Sequence, residues 1–164
     1  MIFLVNDANI LIDLLKLDLL DAFFRMEYDF QISDLVLNEV QEENVDDLDS
    51  YLETNVLTRQ TFTFAELGDI GDLYDQYPAL SIADCSCLYL IERLGARLLT
   101  GDGALRRTAE LRGATVHGVL WVLQELVLRG HLTSREAHGK LSRLMELNQR
   151  LPMKECQRLL RKWQ

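Results

Sequence analysis

The sequence has few cysteines, no long apolar run and few basic residues in its first half. It contains three cysteines and no C-x-x-C pair, which favours a reducing compartment over a disulfide framework. The longest apolar stretches, such as residues 119–128, are shorter than the roughly 20 residues that cross a bilayer. The N-terminus has neither the basic segment nor the small-residue cleavage site of a secretory signal. We therefore expect a cytoplasmic protein without a membrane association.

Basic residues are concentrated in the second half of the chain. Residues 1–92 hold 3 Lys/Arg and 20 Asp/Glu, whereas residues 93–164 hold 14 Lys/Arg and 6 Asp/Glu. The net charge of −9, taken alone, argues against a nucleic-acid binder, but the segregation indicates one side that faces a polyanion. The alternative is that the two halves neutralise each other through ion pairs between surface side chains.

Apolar residues make up 48% of the 164 residues, enough for one sizeable core. Short apolar runs at 2–5, 30–32, 55–64, 96–100 and 114–117 predict five strands, and helical patterns, including the acidic segment 41–52, lie between them. Three amphipathic segments follow, at 118–129, 133–149 and 153–162. This alternation predicts a mostly parallel sheet covered on both faces, with an active site at the carboxyl ends of its strands.

Four acidic residues stand at the edges of apolar segments, where carboxylates are uncommon. Asp7 and Asp102 directly follow predicted strands. Asp84 lies in the first turn of an apolar helix that Ser81 can cap, and Glu39 lies on the helix after the second strand. Carboxylates gathered beside a core repel each other and resist desolvation unless a divalent cation neutralises them. Together the four predict a metal site, although helix capping is the alternative explanation for Asp7 or Asp102 taken singly.

The order and spacing of these segments resemble the PIN domain family of metal-dependent ribonucleases. FLVNDANILIDLL is similar to the family's opening strand and Asp-x-Asn turn, ISDLVLNEV to its second acidic segment, and LSIADCSCLYLIERLGARLLTGD to its third acid and Thr-x-Asp pair. Within the family, the chain is most similar to VapC-like toxins with an extended helical C-terminus. The resemblance implies a three-layer α/β/α PIN-like fold with a mostly parallel five-stranded sheet plus C-terminal helices. Residues 1–130 would form the nuclease domain, and residues 131–164 a basic helical extension packed on or beside it.

The resemblance also implies the metal ligands and the catalytic residues. Mg²⁺ or Mn²⁺ would be the cofactor, because these hard cations prefer oxygen ligands and retain several waters. One or two such ions would be held by the same side chains that are catalytic, namely Asp7, Glu39, Asp84 and Asp102.

Further residues carry supporting roles by the same resemblance. Asn9 and Thr100 would orient the ligands or a water through hydrogen bonds, and an ordinary turn asparagine and strand-end threonine are the alternative. Arg106 and Arg107, on the helix after Asp102, would contact an RNA backbone. The alternative for these two arginines is a solvated helix surface.

The implied activity is that of a cytoplasmic metal-dependent endoribonuclease, the toxin of a toxin-antitoxin pair. Its partners would be an RNA substrate, a small antitoxin protein and a second copy of the chain in a homodimer. A non-catalytic PIN-like module that binds RNA or protein is the alternative. A phosphatase of the haloacid dehalogenase type would need a carboxylate where Asn9 stands, and a receiver domain would need a lysine after the fifth strand, whereas no lysine lies between Lys16 and Lys140.

Overall fold

A five-stranded sheet forms the centre of the computed structural model, which describes residues 1–42 and 46–164, the side chains of 41 and 42 excepted. All neighbouring strands are parallel, and their order is β3-β2-β1-β4-β5. Strand β1 is therefore central, and its carboxyl end lies beside that of β4. The strands are β1 (Phe3–Asn6), β2 (Asp29–Ser33), β3 (Leu57–Gln60), β4 (Arg97–Leu99) and β5 (Val116–His117).

Helices flank this sheet and give the predicted three-layer α/β/α fold. They are α1 (Ala8–Lys16), α2 (Leu20–Phe24), α3 (Asp34–Glu42), α4 (Asp49–Glu53), α5 (Phe64–Gln76), α6 (Ile82–Leu94), α7 (Gly103–Leu111), α8 (Val119–Leu128), α9 (Ser134–Leu147) and α10 (Met153–Lys162), with a short 3-10 helix at Asp46–Leu48. Helix α6 contacts β1, β2 and β4 as well as α3 and α5. Helix α6 therefore packs against the middle of the sheet and against two other helices.

Helix α6 has well-defined ends. Its N-cap Ser81 accepts a hydrogen bond from the backbone N–H of Asp84, and the Asp84 carboxylate accepts one from the backbone N–H of Ser81, both at 3.0 Å. This capping box fixes where the helix begins. Gly95 ends it with a φ of 61°, a left-handed conformation that glycine adopts without steric strain. The side chain of Asp84 is thereby held at the start of the helix, beside the sheet.

The C-terminal helices α9 and α10 pack on the rest of the chain. Leu141 and Leu144 of α9 and Leu159 of α10 are fully buried. Two polar contacts join this segment to α1 and its end: Lys140 Nζ donates to the carbonyl of Leu17 at 2.7 Å, and an amide of the α9–α10 loop bonds to an α1 carboxylate. The division of the chain near residue 130 stays a prediction, but residues 131–164 contribute buried side chains to the main core.

Most predicted elements are present, with ends displaced by a few residues. The fifth strand is shorter than predicted, 116–117 instead of 114–117. Helix α2 was not predicted separately, because its five residues are too few to show a helical period. The acidic helical segment predicted at 41–52 falls partly outside the described residues, and its later part forms the 3-10 helix and α4. Among the described residues, no helix has both the length and the apolar character needed to span a bilayer.

Truncation of Leu144 tests whether the C-terminal helices belong to the same cooperative unit as the sheet. Leu144 is fully buried, whereas Leu111 is 89% exposed and provides a matched leucine control. We expect Leu144→Ala to lower the free energy of unfolding by about 2–5 kcal/mol in a single urea transition, and Leu111→Ala to lower it by less than about 0.5 kcal/mol. A separate early transition that alone responds to Leu144→Ala would contradict a common unit.

Candidate active site

Asp7 lies at the carboxyl end of the central strand, and only 4% of its surface is exposed. As the N-cap of α1, it accepts a hydrogen bond from the backbone N–H of Ala8 at 2.8 Å through Oδ1. Its Oδ2 accepts a hydrogen bond from the Thr100 hydroxyl at 2.7 Å. The carboxylate is therefore held from two strands of the sheet, with one donor at the end of β1 and one at the end of β4.

Thr100 links Asp7 to Asp102. The Thr100 hydroxyl, which is fully buried, accepts a hydrogen bond from the backbone N–H of Asp102 at 3.0 Å while it donates to Asp7. Asp102 is the N-cap of α7, and its Oδ1 accepts from the backbone N–H of Ala104 at 2.8 Å. One hydroxyl thus sets the spacing of two of the predicted acids.

Asp84 and Glu39 approach the same region from α6 and α3. Asp84 is half-buried, and its capping box uses Oδ2. Glu39 is exposed on α3. Burial raises the pKa of the Cys87 thiol well above its usual range, and the charges of Asp7, Asp84 and Glu39 raise it further. All three carboxylates therefore act on the same buried thiol of α6, the helix that carries Asp84.

Burial and neighbouring carboxylates raise the proton affinity of Asp7 and of Asp84. Burial raises the pKa of Asp7 to about 6, and the charges of Asp84 and Asp102 add to this, against the hydrogen bonds from Thr100 and the Ala8 N–H that lower it. Burial likewise raises the pKa of Asp84, the charge of Asp102 adds to it, and the hydrogen bonds with Ser81 oppose it. A cation bound among these groups would relieve both the desolvation and the repulsion.

The predicted supporting and substrate residues occupy different places around the acids. Asn9 Oδ1 accepts a hydrogen bond from the backbone N–H of Gly101 at 3.0 Å, which ties α1 to the turn between Thr100 and Asp102. The guanidinium of Arg106 lies close over Gly118 at the start of α8. A side chain at position 118 would place its Cβ only 3.2 Å from Arg106 Nη2. Arg107 is exposed, and its Nη1 lies close over Gly103 at the start of α7, next to Asp102. The catalytic, supporting and substrate roles of these residues stay predictions.

The predicted ligands fit a hard divalent cation by chemistry but are not drawn together into a ligand shell. Within residues 1–42 and 46–164, no three Asp, Glu, His or Cys side chains lie close enough to hold a metal ion as they stand. The donors are carboxylates, which Mg²⁺ and Mn²⁺ prefer, and Mg²⁺ commonly keeps several waters between itself and the protein. The buried, charge-strained carboxylate of Asp7 is the observation that favours a cation here.

A buried pair of serines behind the acids was missed at the sequence level. The Ser86 hydroxyl donates to a carbonyl of its own helix at 2.6 Å, so in its 2.6 Å contact with Ser33 it accepts. Ser33 in turn accepts from the backbone N–H of Leu35 at 3.1 Å. The pair joins the start of α3, which carries Glu39, to α6, which carries Asp84. The detectable signal was a lone serine inside the otherwise apolar run of α6.

Substitution of Asp7 tests the electrostatic strain. Because the pKa of Asp7 is raised by folding, the fold loses stability as the pH rises from about 4, the usual carboxyl value, to about 6. The loss is complete above that range and amounts to about 3 kcal/mol at most. We expect Asp7→Asn to raise the free energy of unfolding at pH 8 in EDTA, and to give little gain near pH 4. Urea unfolding at both pH values measures this.

The control for this experiment is Asp72→Asn, which removes a carboxylate from the exposed surface of α5. That variant should leave the free energy of unfolding within about 0.5 kcal/mol at both pH values. Equal effects of the two substitutions, or a loss of stability in Asp7→Asn at pH 8, would show that the buried carboxylate is not strained.

Comparison with known proteins agrees with this fold. The model of a family described as a PIN domain matches residues 3–164. The crystal structure of PAE2754 from Pyrobaculum aerophilum is similar, with a TM-score of 0.56, 19% sequence identity, and coverage of 77% of this chain and 98% of that chain; at that identity the likeness is one of fold. No curated protein matches significantly. PIN domains are generally nucleases that use divalent metal ions. The match over nearly the whole length places this chain in the PIN domain family.

Proposed function

We propose that the chain is a metal-dependent endoribonuclease that hydrolyses phosphodiester bonds in RNA. The observation that carries the proposal is the buried Asp7 carboxylate, which Thr100 joins to Asp102 and which lies within electrostatic range of Asp84. Groups that repel each other this way at the carboxyl ends of parallel strands are typical of a site that binds a cation. Membership of a family of nucleases supports the same reaction.

Each side chain has a role that its contacts support. Asp7, Glu39, Asp84 and Asp102 would hold Mg²⁺ or Mn²⁺, which when bound activates a water and stabilises negative charge on the phosphate. Thr100 fixes the orientation of the Asp7 carboxylate, since it donates to Oδ2. Asn9 restrains the turn that carries Asp102, because it accepts the Gly101 N–H.

The second candidate is a PIN-like module that binds RNA or protein without cleaving. One observation favours it: Asp7, Asp84 and Asp102 all cap helices, so each has a structural role that needs no metal. Capping by itself does not explain why the carboxylate of Asp7 is buried within electrostatic range of two other acids, however. A cation site accounts for this burial of like charges, and we prefer the nuclease for this reason.

We further propose that the chain is the toxin of a toxin-antitoxin pair, acts as a homodimer and is neutralised by a small protein. The proposal rests on the resemblance to VapC-like toxins. The cluster of acidic side chains would accept a basic side chain of the partner among its carboxylates. Co-expression with the product of the neighbouring gene, followed by native purification and light scattering, should recover a complex with two copies of this chain. A lone monomer would contradict both parts.

Cleavage of a mixed pool of structured and single-stranded RNA tests the nuclease directly. We expect wild-type protein to cut with Mn²⁺ or Mg²⁺ and to stop in EDTA. Asp84→Asn should reduce the rate by about 100-fold or more, because a metal ion supplies several kcal/mol of transition-state stabilisation. Asparagine retains an oxygen that can accept the Ser81 N–H, so the capping box can persist.

Asp72→Asn, on the exposed surface of α5, is the charge-matched control and should cut at the wild-type rate. Thermal unfolding with and without Mn²⁺ completes the experiment, since a ligand that binds the folded state raises its melting temperature. A folded protein that neither cuts RNA nor gains stability from any divalent ion would support the binding module instead.

A further inference from the structure

A cavity of about 640 Å³ opens beside the acidic cluster. We call it the tail-side cavity, because one wall is the loop between α9 and α10 and the others are the starts of α1 and α8 and the side of α7. It shares Asn9, Thr100 and Gly101 with the candidate active site. Its volume lies within the roughly 300–1,000 Å³ of pockets that bind small ligands. A polymeric substrate bound at the acidic residues could therefore place a neighbouring part of its strand in this cavity.

Two arginines line the cavity, and one of them, Arg106, also pairs with Glu110 at 3.3 Å. Arg106 and Arg150 both line it. Arg106 approaches the start of α8 over Gly118, where a side chain would crowd its guanidinium. Arg150 makes no ion pair with any carboxylate of the described residues. A phosphate is the ligand group that two arginines beside a polar pocket recognise best.

The loop that carries Arg150 is fixed to the helix that begins at Asp7. Asn148 Nδ2 donates to Asp13 Oδ2 of α1 at 3.1 Å, and Asn148 Oδ1 accepts from the backbone N–H of Arg150 at 3.0 Å. Asp13 also lines the cavity. Because Asp7 is the N-cap of α1, this bond holds the backbone of Arg150 in position relative to Asp7. This wall of the cavity is therefore joined to α1 by a side-chain hydrogen bond.

The remaining lining combines an apolar face with polar groups. Trp121 forms part of the wall, and it is held on one side by a parallel stack with His117 at 3.9 Å between ring centroids. Gln149 contributes an amide, which can donate to and accept from the edge of a base, whereas the Asn148 amide is engaged with Asp13 and the Arg150 N–H. The arginines could bind the phosphate of a nucleotide, and the aromatic wall and the amide could contact its base.

We propose that the tail-side cavity binds the nucleotide next to the scissile phosphate of a single-stranded RNA, with Arg106 and Arg150 at its phosphate and the 148–150 loop at its base. This proposal rests on the proposed function, because it places the cavity's ligand in the same strand that the acids cleave. It assigns substrate selection to the C-terminal segment, which reaches the active site through this loop.

Binding of RNA in EDTA tests the proposal independently of cleavage. Fluorescence anisotropy with a labelled eight-nucleotide single-stranded RNA gives the affinity, and the control variant Arg143→Ala removes an exposed cation of α9 that does not line the cavity. We expect Arg150→Ala to weaken binding about tenfold or more, and Arg143→Ala about threefold or less. Nucleoside monophosphates should compete at least about tenfold less well than the RNA.

Tryptophan emission reports whether the RNA enters the cavity. The chain has two tryptophans, of which Trp121 lines the cavity and Trp163 is buried in the core. RNA should change the emission of wild type and of Trp163→Phe, but not that of Trp121→Phe. Equal weakening by Arg150→Ala and Arg143→Ala, or an emission change that survives in Trp121→Phe, would overturn the cavity as the binding site.

Failure of the cavity and failure of the nuclease give different results. If Arg150→Ala binds RNA as wild type does while wild-type protein cleaves with metal, the cavity proposal is wrong and the nuclease stands. If the cavity variants lose binding but no metal supports cleavage, the nuclease is wrong and the cavity remains an RNA site.

Discussion

Burial of the Asp7 carboxylate at the end of the central strand constrains where α1 begins and which strand lies beside β1. A carboxylate removed from water needs donors for its oxygens, and here they come from the first N–H of α1 and from Thr100. The first donor requires α1 to begin directly after β1, and the second requires β4 to lie beside β1. The order of the strands, the start of α1 and the position of Asp102 are all consistent with satisfying this one group.

Much of this could be predicted from the sequence, because parallel strands bring their carboxyl ends together whatever the details of packing. Asp7 follows β1 directly and Asp102 comes three residues after the end of β4, so their shared edge of the sheet was predictable from position alone. The resemblance predicted that Thr100 would hydrogen-bond a ligand or a water, but that its partner is Asp7 depends on the register in which Asn6 faces Leu99. Periodicity identifies a strand but does not specify its neighbour or register.

The tail-side cavity was beyond sequence reasoning for a related reason. The helical pattern of α9 and the proline after it marked a loop near residue 150, yet nothing in the pattern indicated which surface that loop would meet. Its position follows from buried Leu141 and Leu144 and from the bond between Asn148 and Asp13, residues 135 positions apart. Contacts at such separation are set by the whole core.

Helix capping and metal binding are compatible roles for the same acids. An ionised carboxylate can accept about four hydrogen bonds or metal contacts through its two oxygens. Asp84 caps α6 with Oδ2, and Asp102 caps α7 with Oδ1, so each has a second oxygen that the cap does not use. Capping fixes the direction of each side chain before any ligand arrives, which lowers the entropy lost when a ligand binds. A site built from capping residues is thus preorganised.

The distribution of ion pairs decides between the two interpretations of the segregated charge. Among the described residues, the pairs that join a cation of the second half to an acid of the first are Arg93–Glu66 and Arg112–Glu92. Residues 133–164 carry 8 Lys/Arg, and of these the described ion pairs involve Arg158 alone, with Glu155 of its own helix. Mutual neutralisation therefore does not account for the basic C-terminal segment. Its charge therefore stays available to a polyanion.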